Sequence, residues 1–507
     1  MKKINKIKNI TGVLTLLLIL SSCSNWFDET PDSQIRDEEQ FSTEIGFQQQ
    51  LTGCYLGMSD NDLFGKNLSW LYPDILSQSY ENRSFTLSSD AGSYMQAYNY
   101  KSSVSMEVID KMWKSMYNVI SNVNQIIENI DERKDVFTSV NYYMIKGEAL
   151  AIRGYMHFEL MRLYGHSNLA DITDKASLLA IPYYLNSSKD FVKQLSYNET
   201  FTLMIKDMEE AIELLKKDPI ILANNDLYNS EANVDGYYDY RNLKINYYAA
   251  QAILAQIYMW EGSNENMRKA QVILNNIIAE NNGENNVFTW DIEGLDDNPA
   301  QTDEILFAVN NMSLSSSVTQ YFSYNFAPTL YSAIYLTETR AKDIFETNVD
   351  GAGDIRFSKL LQLYTNLEFD GPMYIPKKYR QENISIYENE DIIPIIRLSE
   401  IYLMNAECSA VLDNDLVEAK IFVQVVRSNR GLVTELVGDT VDEFLVQLGK
   451  EYAREYLAEG GLWFWYKRNG IGVLENTAGD IIEMNDEKYM FPFPDFEIQN
   501  GREQKIN

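Results

Sequence analysis

The chain has 507 residues, 45% of them hydrophobic, which is enough for a large buried core and too apolar for bulk disorder. Its formal charge of −31 argues against nucleic acid as a partner, because an acidic surface repels a polyanion. The 34 tyrosines, beside 22 phenylalanines and 7 tryptophans, exceed what a core requires and point to contact with a ligand.

Lys2, Lys3, Lys6 and Lys8 precede the apolar run from Val13 to Leu20. That run is far shorter than the ~20 residues of a membrane span. Leu20-Ser21-Ser22-Cys23 then has the form of a lipobox. Residues 1–22 therefore read as a lipoprotein signal peptide and Cys23 as a lipidated anchor that does not span the membrane. Residues 23–40, acidic and interrupted by Pro31, read as a tether. Ser24 in place of Asp suggests outer-membrane sorting, and Asp28 and Glu29 resemble the acidic tags of surface-facing lipoproteins. Two cysteines remain, Cys54 and Cys408, too few for a disulfide framework. Cys408 occupies a small-residue position in a helical run and reads as a buried thiol.

A helical pattern runs from Phe41 to Tyr55 and is lost over 59–103, where Gly, Ser, Asn and Asp mix with many aromatics. A loop of that length is functional or disordered, and the aromatic load argues against disorder. Helical periodicity returns from Val104 to Ile130. It continues from Asn141 to Gly165, where Ile145, Ala149, Ile152, Met156, Leu160 and Leu163 step by three or four. Ala149, Gly154 and Gly165 leave room for a neighbouring helix. Further helices are expected over Thr200–Lys217, Arg241–Glu261, Asn266–Glu280, Ile396–Leu412, Leu416–Arg430 and Val441–Glu459, with a short strand at Thr302–Val309. The fold class is mostly α, with few short strands. Helix pairs at about 104–165, 200–280 and 396–459 form an array resembling degenerate tetratricopeptide repeats, whose units bury their apolar faces by stacking. Irregular insertions interrupt it at about 59–103, 165–198, 281–395 and 470–507.

The motifs of enzyme chemistry are missing. His157 and His166, the two histidines, are nine residues apart, about half a turn out of phase on a helix, so they cannot pair as metal ligands. They read as packing residues. Glycine-rich phosphate loops and CxxC pairs are absent, and no carboxylate pair stands out. The chain is read as no enzyme, with no catalytic residue, no metal site and no cofactor. The acidic stretches Asn224–Asp239 and Asp291–Asp297 could hold Ca²⁺ but lack EF-hand spacing, and solvated turns are the simpler reading.

Several segments together resemble the SusD/RagB family of outer-membrane nutrient-uptake lipoproteins. Glu148, Ala149, Arg153, Tyr155, Phe158, Leu160, Leu163 and Tyr164-Gly165 follow its signature helix, and Trp113, Tyr117 and Asn124 fit the helix before it. Pro394 to Leu403 with Ala406-Glu407, Val426 to Leu432, Arg454-Glu455 with Glu459-Gly460, and Pro492-Phe493-Pro494 with Glu497 and Asn500 follow its C-terminal motifs in order. One departure follows Glu-Gly. The family commonly has an arginine, two aromatics and an aspartate, where this chain has Leu462, Trp463, Phe464 and Trp465, so packing is expected to replace a salt link. The resemblance implies a single SusD-like domain over 41–507. It implies a surface protein seated on a TonB-dependent SusC-like transporter, capturing oligosaccharide or polysaccharide, or alternatively oligopeptide; a secreted hydrolase is the remoter reading. The family's ligand residues are not fixed motifs. Aromatic faces suited to sugar rings are therefore sought in the insertions, at Trp70, Tyr72, Tyr80, Tyr94 and Tyr98, and at Trp290, Tyr321, Tyr324 and Tyr331. For any one of them, core packing competes with ligand contact.

Overall fold

The computed structural model describes residues 38–81, 91–281, 286–291, 295–322, 334–365, 371–380 and 390–505. Residues 1–37, and with them the signal peptide and Cys23, lie outside it.

Thr43 caps α1 (Glu44–Met58) by accepting from the Gly46 amide, and Ser102 caps α2 (Ser103–Ile130) by accepting from Ser105. After a turn, α3 (Asn141–Tyr164) runs back along α2. The Tyr164 hydroxyl donates to Ile109 O, Arg153 donates to Asn124 Oδ1 and Lys146 pairs with Asp131, so one helix descends as the other ascends. α4 (Tyr197–Leu215), opened by a Ser196/Glu199 capping box, reverses again. It comes close because α3 carries glycine at the crossing: a Cβ on Gly147 would lie 2.9 Å from Leu215 Cγ, and one on Gly154 would lie 3.0 Å from Met208 Sδ. With neighbours on both sides, α3 is buried almost all round.

The alanine-rich α5 (Tyr247–Glu261) and α6 (Asn264–Glu280) follow, turned at Gly262, whose φ is +82°. The insertion then contributes α7 (Leu314–Tyr321) and α8 (Glu338–Phe345). The array resumes with α9 (Leu398–Asp413) packed on α6, where Arg268 pairs with Asp413 and Asn405 bonds Asn275. α10 (Leu416–Ser428), α11 (Val441–Glu455) and α12 (Gly461–Arg468) complete it. The expected helix-pair array is therefore present. Short strands decorate it: β1 (Leu179–Pro182) with β2 (Gln194–Ser196), β3 (Ile305–Asn310) with β7 (Ile392–Arg397), a β4–β6–β5 sheet from Leu336–Thr337, Met373–Pro376 and Leu361–Tyr364, and β8 (Val473–Glu475) with β9 (Ile481–Glu483).

The helix expected over Arg241–Glu261 begins at Tyr247, where Asn246 caps it by accepting from the Ala249 amide, and two other boundaries also differ for physical reasons. The chain stays extended through Arg397 because Ile392, Ile393, Ile395 and Ile396 are β-branched and Pro394 disfavours helix at the residue before it. α11 stops at Glu455 instead of Glu459 because Ala458 and Gly460 take positive φ, +65° and +80°. Buried Asp74 holds that turn, accepting from the Ala458 amide (2.5 Å), the Gly460 amide (2.8 Å) and the Tyr80 hydroxyl (3.0 Å). Burial lifts Asp74 to about 8 against these donors. Its contribution to stability is therefore present below its unfolded value of 3.8 and is lost as pH rises toward 8.

The C-terminal tail closes the first helix pair. Lys467, fully buried, donates to Leu163 O and Tyr489 O, and Gln504 donates to Tyr164 O, so the carbonyls left open at the end of α3 find partners. Behind the insertion lies a cluster of buried charge. Arg430 pairs with Glu304 and Glu455 (both 2.7 Å), Arg397 with Glu455 (2.5 Å) and Glu459 (2.9 Å), and Arg356 with Glu455 (2.8 Å), Glu451 (2.7 Å) and Asp354 (2.7 Å). Burial alone would raise Glu455, but Arg430, Arg397 and Arg356 outweigh it and hold the carboxyl well below the usual range.

Glu455→Gln is expected to lower unfolding free energy by about 3–5 kcal/mol at pH 7, the cost of breaking a buried ion pair on one side. Because a depressed carboxyl stabilises above its unfolded pKa, the deficit relative to wild type narrows as pH falls below 4.5, as urea titrations at pH 7 and pH 4 would show.

Candidate functional site

The two insertions singled out in the sequence meet in space. The Glu81 amide donates to Tyr335 O (3.0 Å), and Arg340 of α8 donates to Gln78 O (3.0 Å). The early segment is braced internally: Gln78 bonds Gln96 O, Gln96 bonds Tyr80 O, and the Tyr98 hydroxyl bonds Leu76 O. Gln78 and Tyr98 both hold positive φ, +61° and +55°, a conformation costly outside glycine.

The aromatics meet as well, but mostly as core. Trp70 lies edge-on to Tyr321 at 5.7 Å and against Phe322 and Tyr379, and its indole donates to Gly65 O. Trp70, Tyr72, Tyr80 and Tyr321 are buried. Tyr98 is half-buried and Tyr94 is 36% exposed. Trp290 is also half-buried, but sits apart, between Tyr402 and the guanidinium of Arg430. Tyr324 and Tyr331 lie outside the described residues. Among the described residues the nine do not form an exposed aromatic platform.

A cleft of about 480 Å³ opens instead between α8, α11, α12 and the turn after α12. Its floor is apolar, from Ile344, Leu445, Trp465 and Tyr466, and its rim is charged, from Arg340, Asp343, Asp442 and Lys450. Trp465 is fixed: its indole donates to Glu407 (3.1 Å), its ring stacks on Tyr452 at 5.5 Å, and Gly449 makes room for it. Glu407 also takes both arms of Arg468, so the departure from the family's charged pattern is met by packing and an indole hydrogen bond. Tyr466 is half-buried, and burial raises its phenol. Lys450 is engaged by Glu346 at the end of α8 (2.6 Å). Arg340 pairs with no carboxylate among the described residues, and its Nε has no partner. Sequence reading missed this cleft. Its available signal was the run Trp463-Phe464-Trp465-Tyr466, four consecutive aromatics that one helix cannot all turn inward.

The histidines behave as packing residues. His157 stacks on Tyr183 at 3.7 Å, accepts from the Tyr184 amide and is lowered to about 3, chiefly by burial. His166 lies beyond the end of α3, where Asp486 meets its Nδ1 at 2.7 Å. The Ser167 hydroxyl also donates to Asp486, so the serine is not aligned on the imidazole as a nucleophile. Cys54 and Cys408 are free and buried, and burial pushes the Cys54 thiol up to about 12. Among the described residues no group of three or more His, Cys, Asp or Glu is placed to hold a metal, and no helix is long and apolar enough to cross a membrane. In the acidic stretch 224–239, Asp239 accepts from Asn233.

Comparison with known proteins accords with the fold. Residues 25–259 match a family described as starch-binding and associating with the outer membrane, and residues 364–507 match the SusD family. The chain belongs to the SusD/RagB family. Among curated relatives from Formosa agariphila, SusD-like protein P25 is 28% identical over 32% of this chain and SusD-like protein P38 is 22% identical over 97%. The match spans 31% of P25's own length, 37% of that of SusD-like protein P2, and 96% of P38's. A SusD superfamily structure from Bacteroides thetaiotaomicron superposes with a TM-score of 0.70 at 22% identity, covering 90% of this chain and 98% of that one. Surface glycan-binding protein A from the same organism, solved with laminarihexaose, superposes at 0.65 with 16% identity over 92% and 99% of the two chains.

Gly449→Val would thrust a side chain at the Trp465 ring, now 2.8 Å from a Cβ at that position. The expected cost is about 1–3 kcal/mol of stability, with a shifted tryptophan emission.

Proposed function

We propose that this chain is a cell-surface lipoprotein that captures oligosaccharide in the α8–α11–α12 cleft without turning it over, and delivers it to a TonB-dependent SusC-like transporter. The observation that carries the reading is the cleft itself, an aromatic and aliphatic floor beneath a rim of both charge signs. The C–H face of a sugar ring suits Tyr466, while ring hydroxyls donate to Asp343 and Asp442 and accept from Arg340. Family membership and the laminarihexaose complex of one structural neighbour support the ligand class. Residues 1–22 serve as signal peptide, Cys23 as lipid anchor at the outer membrane, 23–40 as tether and 41–507 as one domain. The rim balances two cations with two carboxylates and is not the acidic trough that oligopeptide capture would favour.

Calorimetry with laminarihexaose, maltohexaose and xylohexaose is expected to show binding to at least one, with no shortened products. Tyr466→Ala should weaken it about tenfold, equivalent to about 1.4 kcal/mol. Binding to oligopeptides and to none of the glycans would replace this reading with peptide capture. In cells, Cys23→Ser is expected to abolish labelling by radioactive palmitate and to release the protein from the outer-membrane fraction; retained labelling would refute the anchor.

A further inference from the structure

A second hollow, sharing no residue with the first cleft, lies on the exposed side of α2 and encloses about 320 Å³. Three half-buried rings, Tyr117, Tyr184 and Phe496, turn part of their surface to it. Its rim carries the amides of Asn118 and Asn186 and the hydroxyls of Ser121 and Ser188. Its charged lining residues are Lys114 and Glu497, and Glu497 is already committed to the Trp113 indole (3.0 Å) and to Arg502. Arg502 also reaches the Tyr184 hydroxyl and lies over Phe191, a ring left 56% exposed.

The lip is rigid for a reason rooted in the signature helix. Asn124, fully buried, donates to both Tyr184 O and Asn186 O at 3.0 Å. Arg153 fixes Asn124 by donating to its Oδ1 (3.1 Å), and Asp207 holds Arg153 through both oxygens (2.6 and 2.7 Å). The Tyr117 hydroxyl pins the same segment at Pro182 O (2.9 Å). Lys114 lies over the Phe496 ring at 5.0 Å. Beside that one cation the hollow offers aromatic surface beneath uncharged donors and acceptors, preorganised by a buried arginine, which is chemistry that suits a polyol.

We propose that this hollow is a second binding site, for a neutral oligosaccharide segment. It goes beyond the first-cleft reading and does not rest on it. The test uses the full-length chain in detergent with diazirine derivatives of laminarihexaose, maltohexaose and xylohexaose, the cross-linked peptides being mapped by mass spectrometry. Label is expected on the peptides bearing Asn118 and Asn186. Asn118→Trp, an exposed position at which folding is not at stake, should cut that label at least fivefold and leave label near Tyr466 unchanged. Label confined to the Tyr466 region, or undiminished in Asn118→Trp, overturns the second site alone. Label confined to the hollow upholds it and overturns the first cleft, and no label from any of the three sugars overturns both.

Discussion

The structure depends on a buried network of ion pairs centred on Glu455. Charges taken out of water carry a desolvation cost of several kcal/mol each, and attraction offsets it only where every lone pair and proton is matched. Here Glu455 accepts from three arginines, and Glu304, Glu451, Glu459 and Asp354 take up most of the remaining donors. Half-made, such a cluster would be worse than an apolar core. It therefore fixes the relative positions of β7, the end of α10, the segment at Asp354–Arg356 and the stop of α11 together.

That constraint reaches the candidate site through the turn after α11. Glu459 is held by Arg397 and Lys378, and the adjoining amides of Ala458 and Gly460 are held by Asp74. The early insertion is thus tied to the ionic cluster by one carboxylate, and α12 starts at Gly461, immediately after the tied turn. The wall that presents Tyr466 and the segment that buttresses Arg340 are set by the same contacts. The charged side chains of the motif residues Arg397, Arg430, Glu455 and Glu459 are buried and paired, whereas the charged residues of the cleft, Arg340, Asp343, Asp442 and Lys450, are at least partly exposed.

Helix existence and order were legible because one-sided periodicity is a local signal. The pairing of 104–130 with 141–165 followed from it, and of the small residues singled out on α3, Gly154 does meet a close neighbour, α4, whereas Gly147 at the same crossing went unnoticed. Where tertiary contacts decide, sequence reading failed. Asp74, remote in sequence, ends α11, and the extension of Ile392–Arg397 depends on a partner strand found at Ile305–Asn310. The aromatic content was read as surplus to a core, but composition cannot say which rings face water, and most of the rings singled out are core. Trp70, Tyr72 and Tyr80 sit in an irregular segment that builds its own core, whereas Tyr466 sits on a helix, where an aromatic is expected to be packed. Trp465 stood out only as a departure from a charged pattern, and its hydrogen bond to Glu407 explains how the chain tolerates it.

The same cluster has a consequence for the order in which the chain is made. The helices α1 to α6 pack chiefly on sequence neighbours and can assemble as they emerge. Glu304 has no cationic partner until Arg397 and Arg430 exist, and the network is incomplete until Glu455 and Glu459 have followed. The carbonyls at the end of α3 wait longer still, for Lys467 and Gln504. Long-range closure of this kind is slow, and it leaves the middle of the chain open until the last residues arrive.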